Sequence, residues 1–147
     1  MQWIILLFAL AAGAANPFQS GTNAELKTQL SQPIWATLWV YASGLAGVLL
    51  VQAFVRQPLP SSPQMQAVPW WAWMGGIISI AATFAGLMLA QKLGAGIFTG
   101  VSITAATVVS IALDHFGLVG FRQHGASPLR MAGGALMIAG VWMVAKF

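Results

Sequence analysis

Residues 33–55 read PIWATLWVYASGLAGVLLVQAFV, without one charged side chain, and Arg56 closes them. A helix that crosses a bilayer needs about 20 mostly apolar residues, so this stretch is long enough to span on its own. Four more windows of the same kind lie around it. Toward the N-terminus, a run beginning at Gln2 stays apolar to Ala15 and continues with polar interruptions toward Leu26. Toward the C-terminus, residues 57–69 hold Pro58, Pro60, Ser61, Ser62, Pro63 and Pro69, which cannot continue a helix. A third window then runs from Trp70 to Gln91. Lys92, Gly94 and Gly96 read as a tight turn before a fourth, Ile97 to Leu113, which makes the third and fourth helices antiparallel neighbours. Asp114 to Ser127 holds both histidines and the short apolar run Phe116 to Phe121, read as an interfacial segment. A fifth window, Pro128 to Ala145, starts with proline at a favoured first-turn position. The expected fold is an all-α membrane protein with five transmembrane helices per chain, spanning approximately 2–26, 33–55, 70–91, 97–113 and 128–145 of one transmembrane domain, 1–147.

Composition agrees, because 59% of the residues are apolar and only 5% are charged, against about 25% in soluble domains. The mean hydropathy is +0.81. The net charge of +4 comes from six Lys and Arg that are scattered singly, so they form no basic patch and no nucleic-acid partner is expected. Without cysteine there is no disulfide, thiol nucleophile or thiolate metal site. His115 and His124 lack the spacing of metal ligands. No metal, no cofactor and no enzymatic activity are expected. Ala12 to Ala15 resembles a signal-peptide cleavage site, but no Lys or Arg precedes the apolar run, so the first window is read as a retained helix.

Lys and Arg in short loops normally set orientation. With five spans, one side receives Arg56, Arg122 and Arg130, and the other receives Lys27, Lys92 and Lys146. The signal cancels. Either a single orientation is obscured, or the chain inserts both ways and pairs with an inverted copy of itself. Such a homodimer has ten helices about a two-fold axis in the membrane plane.

Polar groups at membrane depth are costly and usually face a cavity or a partner helix. In the first helix Asn16, Gln19 and Asn23 fall within roughly 60° of one another, with Ser20 at the border. Pro17 removes a backbone hydrogen bond beside this stripe, so a kink or local break is expected. The stripe either lines a cavity for a small polar substrate or joins helices by hydrogen bonds. Glu25 points roughly 180° from Asn16 and reads as a solvated charge at the interface. In the fourth helix Gly100, Thr104, Thr107 and Asp114 lie within roughly 80° of one face, a weaker candidate pathway, since threonine hydroxyls often bond their own backbone.

Small residues allow close helix approach: Gly44 and Gly47 in the second helix, Gly75, Gly76 and Gly86 in the third, Gly133 and Gly140 in the fifth. Gly133 and Gly140 are seven residues apart and share one face. Trp70, Trp71 and Trp73 after Pro69 read as an interfacial anchor, with Trp70 also a candidate for stacking on substrate.

The chain resembles the YdcZ-type family of the drug/metabolite transporter superfamily, five-helix proteins related to one half of an EamA-type transporter. The residues that carry this are Asn16-Pro17-x-Gln19-x-x-x-Asn23, Pro69-Trp70-Trp71 with Gly75-Gly76, Lys92-x-Gly94, Asp114-His115-x-Gly117, and Pro128-x-Arg130-x-x-Gly133 leading to Gly140. The resemblance implies a small-molecule exporter of the bacterial inner membrane that is complete only as a dimer. A more distant resemblance is to the small multidrug resistance exporters, which use a membrane-embedded Glu in the first helix; here no acidic residue lies between Met1 and Asn23. Two function classes follow. One is an alternating-access transporter lined by Asn16, Gln19 and Asn23; the other is a dual-topology channel or lipid-handling protein.

Overall fold

The computed structural model describes residues 2–147, and every regular element in them is helical. The helices are α1 (Gln2–Leu30), α2 (Pro33–Val55), α3 (Ser62–Gln66), α4 (Gly75–Leu93), α5 (Ala95–Phe116) and α6 (Pro128–Lys146), with a 3₁₀ turn, Trp70–Met74, leading into α4. Five segments are long and apolar enough to cross a membrane: α1, α2, Trp70–Leu93, α5 and α6. This is the all-helical, five-span reading of the sequence. The helices outrun the apolar windows, α1 to Leu30 and α5 to Phe116. An apolar window measures the hydrocarbon layer, whereas Glu25, Lys27, Asp114 and His115 sit at helix ends and can stay helical in the headgroups.

Local chemistry sets the ends. Pro33 opens α2, and Arg56 closes it in the left-handed region (φ 53), its N–H donating to the Gln52 carbonyl at 2.7 Å. The proline-rich segment is not wholly irregular. Gln64 Oε1 accepts from the Ser61 N–H at 2.8 Å and the Ser61 hydroxyl at 3.0 Å, and Pro63 lies in the first turn of α3, where its missing N–H costs nothing. Gly94 alone joins α4 to α5, at φ 82, a conformation that side chains disfavour. Gly117 closes α5 at φ 61. Ser127 Oγ accepts the Arg130 N–H at the start of α6.

Of the kink or local break expected at Pro17, the break does not occur, for α1 is continuous through it. Proline has no N–H and its ring crowds the carbonyl four residues back.

The chain forms two compact units. One comprises α1 as far as Phe18 together with Ala90–Phe147; the other is Gln19–Leu89. In the first, α5 packs on α6. A Cβ on Gly100 would stand 3.1 Å from Val141 Cγ2, and one on the buried Gly134 would stand 3.6 Å from Ile111 Cδ1. These two glycines let the helices approach. The face of Gly133 and Gly140 is not the one packed on α5, since among the described residues a Cβ at either meets nothing within 4 Å. In the second unit Ala24, Ala36 and Leu87 are buried. Most large apolar side chains point outward, among them Phe54, Leu129 and Trp3, as expected where lipid is the solvent.

Candidate functional site

The α1 stripe is graded in burial. Asn16 and Gln19 are exposed, Ser20 and Asn23 are half-buried, and Ala24 is wholly buried. At 100° per residue Ala24 lies about 40° from Ser20 and about 100° from Asn23. The packed side of α1 therefore meets the stripe at one edge and leaves Asn16 and Gln19 open. Asn16 is the midpoint of the 29-residue helix. Nearer its end, Glu25 Oε1 accepts from Gln29 Nε2 at 2.6 Å, an exposed pair.

The α5 stripe is a packing surface along most of its length. Gly100 meets Val141, while Val108 and Ile111 stand against Gly134. Buried Thr104 lies between them on the same side of the helix. The Thr107 hydroxyl donates to the Ile103 carbonyl at 2.9 Å, satisfying itself on its own helix. Asp114 Oδ2 pairs with Arg130 Nη2 at 3.0 Å. Trp70 begins the 3₁₀ turn and is exposed, like Trp71 and Trp73.

An open groove of about 390 Å³ runs along α5 and α6, lined by Val108, Ile111, Phe116, Met131 and Ile138, with His115 contributing the polar ring. Its walls suit hydrocarbon and offer a polar cargo little. Among the described residues no three His, Cys, Asp or Glu side chains cluster as a metal site would need.

Sequence reasoning missed one polar cluster. In the second unit, Tyr41 of α2 lies 2.7 Å from Ser79 Oγ and 3.1 Å from Thr83 Oγ1 of α4. Ser79 and Thr83 are four apart and so share a helix face, a weak signal. Tyr41, the chain's one tyrosine, shares its face of α2 with Thr37, whose hydroxyl donates to the Pro33 carbonyl of its own helix.

Exposed apolar side chains and five spans define a multi-pass helical membrane protein. Residues 4–143 match the family model described as "Putative inner membrane exporter, YdcZ". The chain belongs to that family, of the drug/metabolite transporter type, and is a multi-pass protein of the inner membrane. No curated protein and no solved structure matches it significantly.

Proposed function

We propose that the chain exports a small polar molecule, and that it does so as an inverted homodimer of ten helices working by alternating access. The observation that carries this reading is the exposure of Asn16 and Gln19 near the middle of α1. Amide groups at membrane depth are tolerated where they face a cavity or a partner rather than lipid, so a second copy that covers them supplies what one chain lacks. The balance of Arg56, Arg122 and Arg130 against Lys27, Lys92 and Lys146 supports two insertion orientations. Asn16, Gln19 and Asn23 from each copy would line a site near the two-fold axis, as in inverted-repeat transporters. Ser20, Thr104, Thr107, Asp114 and Trp70 are secondary candidates for contact with cargo.

The test is Asn16→Ala, Gln19→Ala and Asn23→Ala, each measured for folded yield and for flux of a cargo found by screening purified protein on solid-supported membranes. If the amides bind cargo, rate or apparent affinity falls at unchanged yield, because a cargo group is left unpaired. If they only join helices, stability falls by about 0.6 kcal/mol and flux per folded dimer is normal. Saturating exchange separates a carrier from the alternative, a dual-topology channel or lipid-handling protein, in which ions pass as sustained current or no cargo saturates.

A further inference from the structure

The protons of the Tyr41, Ser79 and Thr83 hydroxyls can be counted. Ser79 Oγ donates to the Gly76 carbonyl at 2.9 Å. A hydroxyl has one proton, so toward Tyr41, 2.7 Å away, Ser79 is the acceptor. With its own proton committed to Ser79, Tyr41 in turn accepts from Thr83 at 3.1 Å. The arrangement that keeps all three contacts runs from Thr83 to Tyr41 to Ser79 to the Gly76 carbonyl. All three protons are consumed. What remains open is acceptor capacity, since each oxygen has two lone pairs, of which Tyr41 and Ser79 each use one and Thr83 none.

The cluster lies near the middle of two spans, the level at which transporter sites are found. Tyr41 is three residues from the centre of α2, about 4–5 Å along the axis, and Ser79 and Thr83 bracket the centre of Trp70–Leu93. All three side chains are half-buried and so can be reached. The charged residues of this unit, Glu25, Lys27 and Arg56, all stand at or near helix ends, so no fixed cation opposes a positive guest at mid-depth. Away from water, hydrogen bonds from a charged donor are roughly twice as strong as neutral ones.

We infer that the Tyr41, Ser79 and Thr83 hydroxyls form a mid-membrane subsite that accepts hydrogen bonds from its ligand, and that the group it takes is a protonated primary amine. Calling that ligand a cargo rests on the exporter reading; its binding does not.

Two isomeric cations test this, n-butylammonium and tetramethylammonium, which share formula and charge but differ in N–H donors. Binding of each to the purified full chain in detergent is measured by titration calorimetry. The expected result is n-butylammonium binding about tenfold more tightly, the size of one charge-assisted hydrogen bond. In Tyr41→Phe and Thr83→Val the ratio should fall to about one, and Thr83→Ser should preserve it. Equal affinity for the isomers, or no saturable binding by folded protein, overturns the inference. So does a ratio that survives both variants while their thermal midpoints drop, which would mean that the hydroxyls only tie α2 to α4. Should Tyr41→Phe fail to fold, Thr83→Val carries the test, since its side chain has the same shape. Failure of the exporter reading looks different: flux is absent in proteoliposomes while the isomer ratio stands.

Discussion

Asp114 and Arg130 meet at 3.0 Å across the connection between α5 and α6, so one of the chain's two carboxylates is held by a guanidinium in the first turn of the next helix. The backbone around them is tied in the same way. The Asp114 carbonyl accepts from the His124 N–H at 2.7 Å. His115 Nδ1 accepts from the Ala126 N–H at 3.1 Å, and the His115 carbonyl from Gln123 Nε2 at 3.0 Å. Residues 117–127 are thus fastened to the last turn of α5, and a cargo reaching Asp114 would compete with a partner already in place.

The pair should show a measurable but small coupling. Arg130 is 42% exposed and Asp114 23%, so solvent screens much of the attraction. A double-mutant cycle with Asp114→Asn and Arg130→Gln, read by thermal unfolding in detergent, should give a coupling of about 0.5 kcal/mol. Raising salt should shrink it. Strictly additive single effects would mean that the 3.0 Å contact contributes nothing to stability.

The α5–α6 contact predicts opposite behaviour for two glycines. At Gly100 even a Cβ would stand 3.1 Å from Val141 Cγ2, and valine has few rotamers with which to retreat. Gly100→Val should destabilise by about 1–3 kcal/mol through overpacking, and Val141→Ala should recover much of the loss. Gly133→Ala meets open space and should hold or slightly raise the thermal midpoint, since alanine favours helix by up to about 1 kcal/mol. Equal effects at the two positions would contradict this packing.

Orientation is tested by C-terminal reporters scored on both sides of the membrane. With three Lys and Arg on each side, the unmodified chain should score on both, and two added Lys at either end should fix it. A single-sided result excludes the inverted homodimer and requires a partner of opposite orientation.

Hydropathy made the five spans legible, because charge and proline are scarce inside them and crowd between them. Periodicity was less informative about contacts. It groups Gly133 with Gly140 correctly, yet it does not say which side of α6 meets α5, and that side is Gly134's. The α5 stripe of Gly100, Thr104 and Thr107 looked polar in one dimension and proves to be mostly a surface against α6. The Tyr41 cluster was out of reach for a different reason: its members are 38 and 42 residues apart, and single hydroxyls in apolar windows are common. The α3 turn hid in a segment whose prolines suggest only a loop, since one of them is compatible with a first turn.

The face left open on α6 makes the dimer testable apart from the fold. Gly133 and Gly140 lie about 100–120° around the helix from Gly134, and among the described residues a Cβ at either meets nothing within 4 Å. Gly133→Leu should therefore leave the unfolding of the single chain nearly unchanged while blocking close approach of a second copy. In a chain without native cysteine, single Cys residues can be placed along α6 and crosslinked in membranes. Two inverted copies cross at one point, so like residues approach only near the axis. Yield should peak at positions 133, 136 and 140, fall at positions 135, 138 and 142 on the far side, and decay toward both ends of the helix. A parallel pair would crosslink at position 144 as well as at position 133. A flat, aperiodic profile would remove this face from the interface and leave α6 facing lipid there.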